Sequence, residues 1–357
     1  MYTVIILIAA LLIVMTVTPL SIRREWYIRA LDFPRVQIAC LCTLWLAVLF
    51  YSDLPDDALM TSCAVGVIAA LVYQCYWIIP NTQLHDVEVQ HHVPERQISL
   101  GNISILSSNV LTDNRNSQAL LDLVNEHTPD ILITLESDQW WQDQLDTLEH
   151  YPHRIQCPLD NLYGMHVYSR LELANASIEY LVEPDKPSMN MDVKINDQQT
   201  VKLFVAHPAP PAPYENSEST ERDVELILIA RNVEKLTAPV IVAGDLNDVA
   251  WSATARLFRQ ISGLKDPRVG RGMFNTFNAR HWFVRWPLDH VFVSTHFELR
   301  KLQRLPDMGS DHFPLLVEFA LTKTHINSGS ETQSPTDPKL LEDALDTDVA
   351  RQASAPS

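Results

Sequence analysis

The sequence predicts an α/β domain preceded by transmembrane helices, and three features of the residue pattern support this fold class. Apolar residues are concentrated in the first 80 positions of the 357-residue chain, in runs with very few charges. From position 98 onwards, short β-type runs alternate with segments of helical periodicity. Six of these β-type runs carry an acid, an amide or an imidazole at one end. A chain of this length can form one large core in addition to a membrane segment.

Three apolar runs predict a membrane anchor over residues 1–80. The runs cover residues 2–20, 36–51 and 59–79. A helix needs roughly 20 apolar residues to cross a bilayer, so the first and third runs are long enough and the second is marginal. The first run could instead be a cleaved signal peptide, but it lacks a preceding basic segment and a small-residue cleavage site. We therefore expect three transmembrane helices.

The charges of the two short loops predict the orientation of the anchor. The first loop contains four arginines, whereas the second contains three aspartates and no basic residue: Arg23, Arg24, Arg29 and Arg35 against Asp53, Asp56 and Asp57. The positive-inside rule places the first loop and the domain after residue 79 in the cytoplasm. Positive charge is sparse after residue 79, so the opposite orientation stays open. Only Cys157 lies outside the apolar runs, which fits a reducing compartment.

The overall charge limits the class of ligand. The chain carries 44 acidic and 27 basic residues, for a formal net charge of -17. Proteins that hold nucleic acid on a broad surface neutralise its phosphates with Lys and Arg, which argues against such a surface here. A small anionic substrate held by a metal ion remains compatible with this charge.

Residues 81–97 are predicted to be a linker, and the first α/β unit follows. The linker is polar and contains His85, His91 and His92, for which metal binding is an alternative. A strand over residues 98–110 then delivers Asn109 to its end. A helix over 118–127 follows, and a buried strand over 131–136 carries Glu136 at its tip. Strand, helix and strand with two polar tips resemble half of an α/β unit whose strand ends converge.

The middle of the chain predicts antiparallel strands and then a second polar strand end. The β-type runs cover residues 154–158, 164–171, 189–195 and 201–206. The last run delivers His207, and a helix over 218–235 leads into the buried run PVIVAGDLN. Asp245 and Asn247 at its end can face one cleft, where one takes a proton or binds a cation and the other holds a phosphoryl oxygen. The same spacing is also ordinary turn chemistry.

The last part of the predicted domain contains two more polar strand ends. Residues 276–287 are rich in aromatic residues and arginine, and they could clamp a substrate or pack over the core. Asp289 then opens one strand, while Asp311 and His312 precede a strand over residues 315–321. Ser, Thr, Pro, Asp and Glu dominate residues 322–357, which are therefore predicted to be a disordered acidic tail.

The polar groups at these six strand ends resemble, in their order, the endonuclease/exonuclease/phosphatase superfamily of deoxyribonuclease-like, metal-dependent phosphodiesterases. The groups are Asn109, Glu136, His207, Asp245 with Asn247, Asp289, and Asp311 with His312. The resemblance covers residues 98–321, and GDLN and GSDH are its most specific motifs. It extends to bacterial members tethered to the membrane. It implies a four-layer α/β/β/α sandwich attached to short N-terminal membrane helices. Together with the loop charges, it predicts a multi-pass protein of the bacterial inner membrane with its catalytic domain in the cytoplasm.

The resemblance also implies a metal site and a pair of catalytic groups. Glu136, assisted by Asn109, holds a divalent cation, for which Mg²⁺ is expected and Mn²⁺ is the alternative. Asp311 is a further metal ligand or supports one. Asp289 fixes the orientation of His312 for proton transfer. The general base is either His312 or Asp245, and the resemblance leaves that choice open.

Three further residues are expected to contact the substrate. By the same resemblance, Asn247 bonds a nonbridging phosphoryl oxygen, and His207 stabilises that oxygen or assists the leaving group. An arginine is also expected at the phosphate, for which Arg285 is the candidate.

The predicted function is that of a membrane-anchored, metal-dependent phosphodiesterase that acts on a nucleic acid, a lipid head group or a small phosphodiester. The resemblance does not distinguish these substrates, nor does the sequence define the oligomeric state. One alternative is a catalytically silent membrane scaffold of the same fold, which is disfavoured because every expected acid, amide and imidazole is present. A transporter or sensor built on the helices is the other alternative, and their lack of internal charge disfavours it.

Overall fold

The computed structural model describes residues 1–53, 55, 57–95, 97–323, 347 and 349, which form two compact units. The helical unit comprises Met1–Asp86 with the short segments Pro211–Ser219 and Gly270–Gly272. The catalytic unit comprises Val87–Pro210, Thr220–Val269 and the chain from Met273 onwards. Nearly all of the predicted tail over residues 322–357 lies outside the described residues, so its disorder stays a prediction.

The helical unit contains two helices that are long and apolar enough to cross a membrane. Its helices are α1 (Tyr2–Val17), α2 (Trp26–Arg29), α3 (Arg35–Phe50) and α4 (Ala58–Ile78), with 3₁₀ turns at Thr18–Leu20, Ala30–Asp32 and Ile79–Asn81. The two candidate spans are Tyr2–Leu20 and Ala58–Asn81. A third span exists only if α3 is counted together with the segment Trp26–Asp32, from which it is bent by 68°. The 16 residues of α3 alone are short for a bilayer of about 30 Å.

A buried polar cluster links the three long helices of the helical unit. The guanidinium of Arg35 donates to Asp32 Oδ1 at 2.7 Å and to Gln74 Oε1 at 3.1 Å. The amide of Gln74 in turn donates to Thr16 Oγ1 at 3.1 Å. Arg29 lies 3.7 Å from the other oxygen of Asp32. The carboxylate of Asp32 is thus paired with two arginines in an otherwise apolar helix packing.

The catalytic unit contains eleven strands and four further helices within the described residues. The strands are β1 (Gly101–Asn109), β2 (Ile131–Leu135), β3 (His153–Cys157), β4 (Met165–Ser169), β5 (Leu173–Glu179), β6 (Ser188–Asn196), β7 (Gln199–Val205), β8 (Val240–Asp245), β9 (Asp289–Val293), β10 (Phe297–Arg304) and β11 (Leu315–Leu321). The helices are α5 (Ser117–His127), α6 (Gln139–Leu145), α7 (Thr220–Glu234) and α8 (Ala253–Ser262).

The strands form two mixed sheets of related topology. The first sheet has the order β10-β11-β1-β2-β4-β3, and the second has the order β5-β6-β7-β8-β9. Each sheet contains one parallel pair, β1 with β2 and β7 with β8, and all other neighbours are antiparallel. A helix connects the two strands of each parallel pair, α5 in the first sheet and α7 in the second. Such β-α-β connections bring the ends of two neighbouring strands to the same edge of the sheet.

Packing of the apolar side chains confirms the predicted four-layer sandwich. Alternate residues of both sheets, such as Ile105, Ile133, Leu203 and Ile241, are fully buried in one cluster between the sheets. The opposite face of the first sheet packs against α5 and α6, and that of the second sheet packs against α7 and α8. Both faces of the central strands are therefore buried, which explains why their sequences are continuously apolar.

Polar side chains define where two of these helices begin. Asp138 accepts a hydrogen bond from the Trp141 amide at 3.0 Å and begins α6. Ser252 accepts one from the Ala255 amide at 2.9 Å and begins α8. Each bond satisfies an amide that has no partner within its helix, which fixes the first turn.

Two strands were not predicted from the sequence, and both lie at sheet edges. β5 and β10 flank the second and first sheets, and half or more of their residues are partly or fully exposed. Edge strands need no continuous apolar face, so their sequences lack the pattern that marks a buried strand. Residues of the predicted linker also bond to β10: the His92 amide donates to Leu299 O at 2.9 Å, and its ring lies 2.7 Å from Glu298.

Candidate active site

The topology brings the six predicted polar strand ends to one edge of the sandwich. Asn109 is the last residue of β1, and Glu136 directly follows β2. In the second sheet, His207 follows β7, and Asp245 is the last residue of β8. Strands β9 and β11 run antiparallel to these strands, so it is their starting ends, with Asp289 and His312, that reach the same edge.

Asn109 connects the carboxylates of the two sheets. Its side-chain amide donates to Glu136 Oε1 at 2.7 Å and to Asp245 Oδ2 at 3.1 Å. Its carbonyl oxygen accepts a hydrogen bond from the Leu111 amide at 3.1 Å. Asn109 is completely buried, so both carboxylates are held by a side chain with little freedom to move.

Glu136 combines an unusual backbone conformation with an incompletely bonded carboxylate. Its φ of 56° lies in the left-handed region, which a residue other than glycine occupies at an energetic cost. Thr112 secures this turn by donating to the Glu136 carbonyl at 2.8 Å. Oε2 is buried and has no hydrogen-bond partner among the described residues. Burial raises the pKa of Glu136 to about 7, and the charges of Asp245 and Asp311 add to the rise.

His312 lies between two buried aspartates. Its Nδ1 is 2.7 Å from Asp289 Oδ2, and its Nε2 is 3.4 Å from Asp245 Oδ2. Burial by itself lowers the pKa of His312, but the charges of Asp289 and Asp245 outweigh burial and raise the pKa to about 10. The imidazole therefore carries two protons near neutral pH and donates one of them to Asp289.

Asp245 is held in its charged form. Burial by itself raises the pKa of Asp245. The charges of His312 and His207 and the hydrogen bonds from Asn247 and Asn109 lower it by more, so the net shift of the pKa is downwards. The atoms of Asp245, Asp289 and His312 that could bind a metal all lie within 4.8 Å of one another. Because the imidazole is protonated and lies between the two carboxylates, we interpret this group as a hydrogen-bonded proton site, not as the metal site.

Asn247 and His207 both lie close to Asp245. The Asn247 amide N–H donates to Asp245 Oδ1 at 2.9 Å, and its side chain donates to Pro208 O at 3.0 Å. His207 Nε2 is 4.0 Å from Asp245 Oδ2. Gly244 has a φ of 143°, and a Cβ atom there would lie 2.0 Å from the Ala206 carbonyl oxygen. Only glycine therefore lets β8 and β7 approach each other at this point.

Asp311, like Glu136, is partly exposed. Its backbone carbonyl accepts from the Ala279 amide at 2.7 Å, and its charge contributes to raising the pKa values of Glu136 and His312. The neighbouring Ser310 hydroxyl donates to the Asn109 carbonyl at 2.8 Å and accepts from the His312 amide at 3.1 Å. The GSDH segment is thereby fastened to the end of β1.

Two buried arginines that sequence reasoning missed support the site. Arg268 pairs with Asp266 at 2.8 Å and lies 2.5 Å from the ring of His290 and 3.3 Å from the Asp289 carbonyl. The other, Arg222, donates to the Asn247 carbonyl at 2.9 Å. Both hold the backbone next to reactive groups, and neither lies in a motif, so no local signal in the sequence could have identified them.

The aromatic segment predicted over residues 276–287 lies against His312. Phe277 and Trp286 form an antiparallel bridge and stack with ring centres 6.1 Å apart. The Phe277 ring centre is 5.0 Å from that of His312. Arg285, the candidate phosphate arginine, has its guanidinium carbon 5.0 Å from the ring centre of Phe313. The structure thus places this segment at the site rather than over a remote part of the core.

Comparison with protein families gives a match over most of the catalytic unit. A profile described as the Endonuclease/Exonuclease/phosphatase family matches residues 106–312, which is more than half of the chain. A UPF0294 protein of Vibrio cholerae is 36% identical over 103 residues, covering 28% of this chain and 34% of that protein. The chain thus spans about a third of the length of the curated relatives it matches.

Solved structures share the fold at low sequence identity. The human Nocturnin catalytic domain with bound sulfate is 17% identical, with a TM-score of 0.52 over 63% of this chain and 96% of that one. An endonuclease/exonuclease/phosphatase family protein from Bacteroides thetaiotaomicron is 20% identical, with a TM-score of 0.51 over 62% and 98%. D. rerio TDP2 complexed with a single-strand DNA product is 16% identical, with a TM-score of 0.50 over 61% and 98%. These likenesses show the fold alone.

Proposed function

The chain belongs to the endonuclease/exonuclease/phosphatase family, whose members are hydrolases of phosphoester bonds, and from this premise we propose that it is a membrane-anchored, metal-dependent phosphodiesterase. The observation that carries the proposal is the buried Glu136 carboxylate, which has one oxygen held by Asn109 and the other without a hydrogen-bond partner in the described part of the chain. A buried carboxylate oxygen without a donor is costly unless a cation or a proton binds it.

The donors around Glu136 fit a hard divalent cation. Glu136 and Asp311 offer carboxylate oxygens, and Mg²⁺ and Mn²⁺ prefer oxygen ligands. Asn109 already uses its amide for the two carboxylates and its carbonyl for Leu111, so in this arrangement it positions Glu136. When bound, the cation supplies Lewis-acid polarisation of a phosphoryl oxygen.

The protonation states favour Asp245 as the general base. Its pKa is lowered overall, so it is ionised near neutral pH and able to accept a proton from an attacking water. His312 carries its proton at the same pH, because its pKa is raised to about 10. Asp289 orients the imidazolium, whose positive charge stabilises the negative charge that develops on the phosphoryl group.

Asn247 and His207 complete the contacts proposed for the substrate. The side-chain amide of Asn247 uses one N–H for the Pro208 carbonyl, which leaves the second N–H to bond a nonbridging oxygen. His207 Nε2 lies 4.0 Å from Asp245 Oδ2, and His207 is proposed to stabilise the same oxygen or the leaving group. Substrates of this class include nucleic acid, and the TDP2 structure with its single-strand DNA product is one neighbour with such a ligand.

The proposed location is the bacterial inner membrane, with the catalytic unit in the cytoplasm. This orientation requires three crossings: Tyr2–Leu20, the bent pair that contains α3, and Ala58–Asn81. The arginine-rich loop between the first two apolar runs then lies in the cytoplasm, and the third crossing returns the chain to that side. Reporter fusions after residue 323 test it. We expect a cytoplasmic reporter to be active and an export-dependent reporter to be inactive, and the reverse pattern contradicts the proposed orientation.

The central experiment measures hydrolysis of bis(p-nitrophenyl) phosphate by the full-length chain in detergent micelles. We expect turnover with Mg²⁺ or Mn²⁺, no turnover with EDTA, and a loss of about 100-fold or more in Glu136→Gln, which removes one charge from the cation site. Glu126→Gln is the matched control, because the Glu126 side chain is 70% exposed. Equal turnover with EDTA and with Mg²⁺, or wild-type turnover by Glu136→Gln, would contradict the proposal.

A further inference from the structure

Two arginines share one aromatic ring beside the proposed catalytic histidine. The guanidinium carbons of Arg285 and Arg304 lie 5.0 and 4.4 Å from the ring centre of Phe313. Phe313 directly follows His312 in the chain. Both arginines come from elements other than the one that carries Phe313: Arg304 ends β10, and Arg285 lies in the aromatic segment. Three separate segments thus converge to place two positive charges together.

Neither arginine has a carboxylate partner within the described residues. Other arginines of the catalytic unit do, such as Arg154 with Asp146 at 2.9 Å and Arg268 with Asp266 at 2.8 Å. The absence of a carboxylate at the arginine pair is notable because acidic residues outnumber basic ones by 44 to 27 in this chain. The sequence therefore offers ample acid to neutralise the pair, and the fold leaves the pair positively charged.

The hydrogen bonds of the two guanidiniums are also incomplete. Arg304 donates to the Asn275 carbonyl at 2.8 Å. The Nε atom of Arg285 is buried and has no hydrogen-bond partner in the part of the chain that the structure describes. Partial desolvation lowers the pKa of Arg304, and the nearby like charge of Arg285 lowers it further. The Phe313 ring attracts both cations without neutralising them.

The ring that gathers the arginines is fixed to the same framework as the catalytic groups. The Phe313 amide donates to the Thr276 carbonyl at 2.9 Å, and the Thr276 hydroxyl accepts from the Asp289 amide at 3.1 Å. Asp289 in turn orients His312. Phe313, which contacts both arginines, is thereby connected through Thr276 to the groups that orient His312.

We propose that Arg285 and Arg304 form a subsite for a second phosphate group of the substrate, next to the phosphodiester that is cleaved. Guanidinium forks match phosphate oxygens in a bidentate manner, and an anion shared by two of them relieves their mutual repulsion. Arg304 is exposed, so the ligand can reach the pair from solvent. The inference rests on the proposed phosphodiesterase function and narrows its substrates to phosphodiesters that carry an additional phosphate.

Two kinds of substrate supply this shared chemistry. A nucleic acid carries a further phosphate one nucleotide away from the scissile bond. A phosphorylated lipid head group carries a phosphomonoester on the alcohol of its phosphodiester. The test therefore compares two pairs of soluble compounds: a dinucleotide with and without a terminal phosphate, and a glycerophosphoinositol with and without a phosphomonoester on its ring.

The kinetic arm measures kcat/KM for each pair with the full-length chain in detergent and Mg²⁺. We expect the wild type to prefer the phosphorylated member of at least one pair by about tenfold or more, as charge-assisted hydrogen bonds allow. Arg285→Gln and Arg304→Gln should each reduce this preference several-fold, and Arg→Lys at either position should restore part of it. Arg300→Gln is the control on the same strand β10, since Arg300 bonds Asn102 at 3.2 Å. The pair with the larger preference identifies the source of the second phosphate.

A binding arm separates failure of the subsite from failure of the proposed function. Inorganic phosphate is titrated calorimetrically into the chain in EDTA, with melting curves to establish that each variant is folded. We expect the affinity to fall about tenfold in Arg285→Gln and Arg304→Gln and to stay unchanged in Arg300→Gln. If the wild type shows no turnover but phosphate binding depends on the pair, the subsite stands and the hydrolase proposal fails. Unchanged phosphate affinity in both Gln variants overturns the subsite, as does an unchanged preference in an active enzyme.

Discussion

Each of the two units of this protein buries charged groups, but the two clusters differ in how those charges are compensated. In the helical unit, Asp32 is paired with Arg35 at 2.7 Å and with Arg29 at 3.7 Å, and Gln74 bonds the same Arg35. In the catalytic unit, Glu136, Asp245, Asp289 and Asp311 share one edge of the sandwich with two histidines and no arginine within ion-pair distance among the described residues.

The first cluster supplies its buried acid with cationic partners from the same unit, whereas the second cluster leaves acidic groups that need a ligand. In the first cluster the one buried carboxylate is paired with two arginines, and the contacts hold three helices together, which is a structural role. The second has more negative than positive groups, and a buried carboxylate oxygen without a donor. An excess of one charge persists in a folded protein only when something outside the chain compensates it or when protons do. The excess thus indicates function more reliably than burial does.

The largest expected effect on activity is that of replacing His312, which lies in the cluster of the catalytic unit. His312→Gln removes the only imidazole that links two site carboxylates in the described structure, and kcat should fall by about 10³-fold or more. His150→Gln, at an exposed position, serves as the control. Turnover of bis(p-nitrophenyl) phosphate at saturating Mg²⁺ measures the effect. Loss of activity in both variants would show that the assay responds to something other than the site.

The next effect, expected in the helical unit, concerns stability and not activity. Asp32→Leu leaves the buried Arg35 and the partly buried Arg29 without their acid and should lower the free energy of unfolding by about 3 kcal/mol. The double variant Asp32→Leu with Arg35→Met removes the more deeply buried of the two uncompensated charges and should recover much of that loss. Thermal unfolding of the full chain in detergent measures both, with kcat/KM at low temperature as a second readout. The structural role of this cluster is contradicted if the double variant has the same melting temperature as the single variant. It is also contradicted if either variant loses activity per folded molecule.

A third prediction concerns Glu225, a buried acid outside the site, and the free energy that its ionisation removes from the stability of the fold. Burial raises the pKa of Glu225 to about 7, although Ser188 donates to it at 2.5 Å. The folded state therefore binds the proton more tightly than the unfolded state, whose pKa is near 4.5. Ionisation of Glu225 does not affect stability below about pH 4.5, and the free energy of unfolding falls as the pH rises from there through 7, by about 3 kcal/mol in total.

Glu225→Gln should remove this pH dependence. The variant should match the wild type near pH 5 and be more stable than it at pH 8, as measured by unfolding in urea across that range. Glu234→Gln, on the exposed face of the same helix α7, is the control and should follow the wild type at every pH. A variant that is less stable than the wild type at pH 8 would mean that the ionised carboxylate has a favourable partner.

The smallest expected effect is stabilisation by the metal itself. If the dissociation constant is about 1 mM, then 10 mM Mg²⁺ stabilises the folded state by about 1.4 kcal/mol and raises the melting temperature by roughly 2–4 °C. Addition of EDTA should reverse the rise, and Glu136→Gln should abolish it. KCl at matched ionic strength controls for screening. An equal rise in Glu136→Gln would place the cation elsewhere.

The sequence predicted the site groups because each lies in a short motif at the end of an apolar run. GDLN and GSDH could be found without a structure, and the alternation of strands and helices then placed them at one edge. Their partners could not be found in this way. Arg268 reaches Asp289 and His290 across 21 and 22 positions, and Arg222 reaches Asn247 across 25. Contacts of this kind depend on how the sheets pack, and a local sequence pattern gives no information about that packing.

The less apolar strands and the buried polar cluster also could not be predicted from the sequence pattern. β5 and β10 lie at sheet edges and show no buried face in their sequences. The cluster around Arg35 was missed for a related reason, since a single charged residue at the start of an apolar run is ordinary at a membrane boundary. Only the three-helix packing shows that this arginine points to Gln74, 39 positions away.

Because of the order of strands in the first sheet, the catalytic unit can fold only after nearly all of its chain has been synthesised. β1, the first strand made, pairs with β11, the last, so that Gly101 faces Leu321. A ribosome that stops between residues 110 and 310 releases a chain whose apolar helices are complete but whose β1 edge is unpaired and whose His312 is missing. Such a fragment lacks a site histidine and exposes an apolar strand edge, which favours aggregation or degradation. Premature termination in this range therefore yields no active fragment.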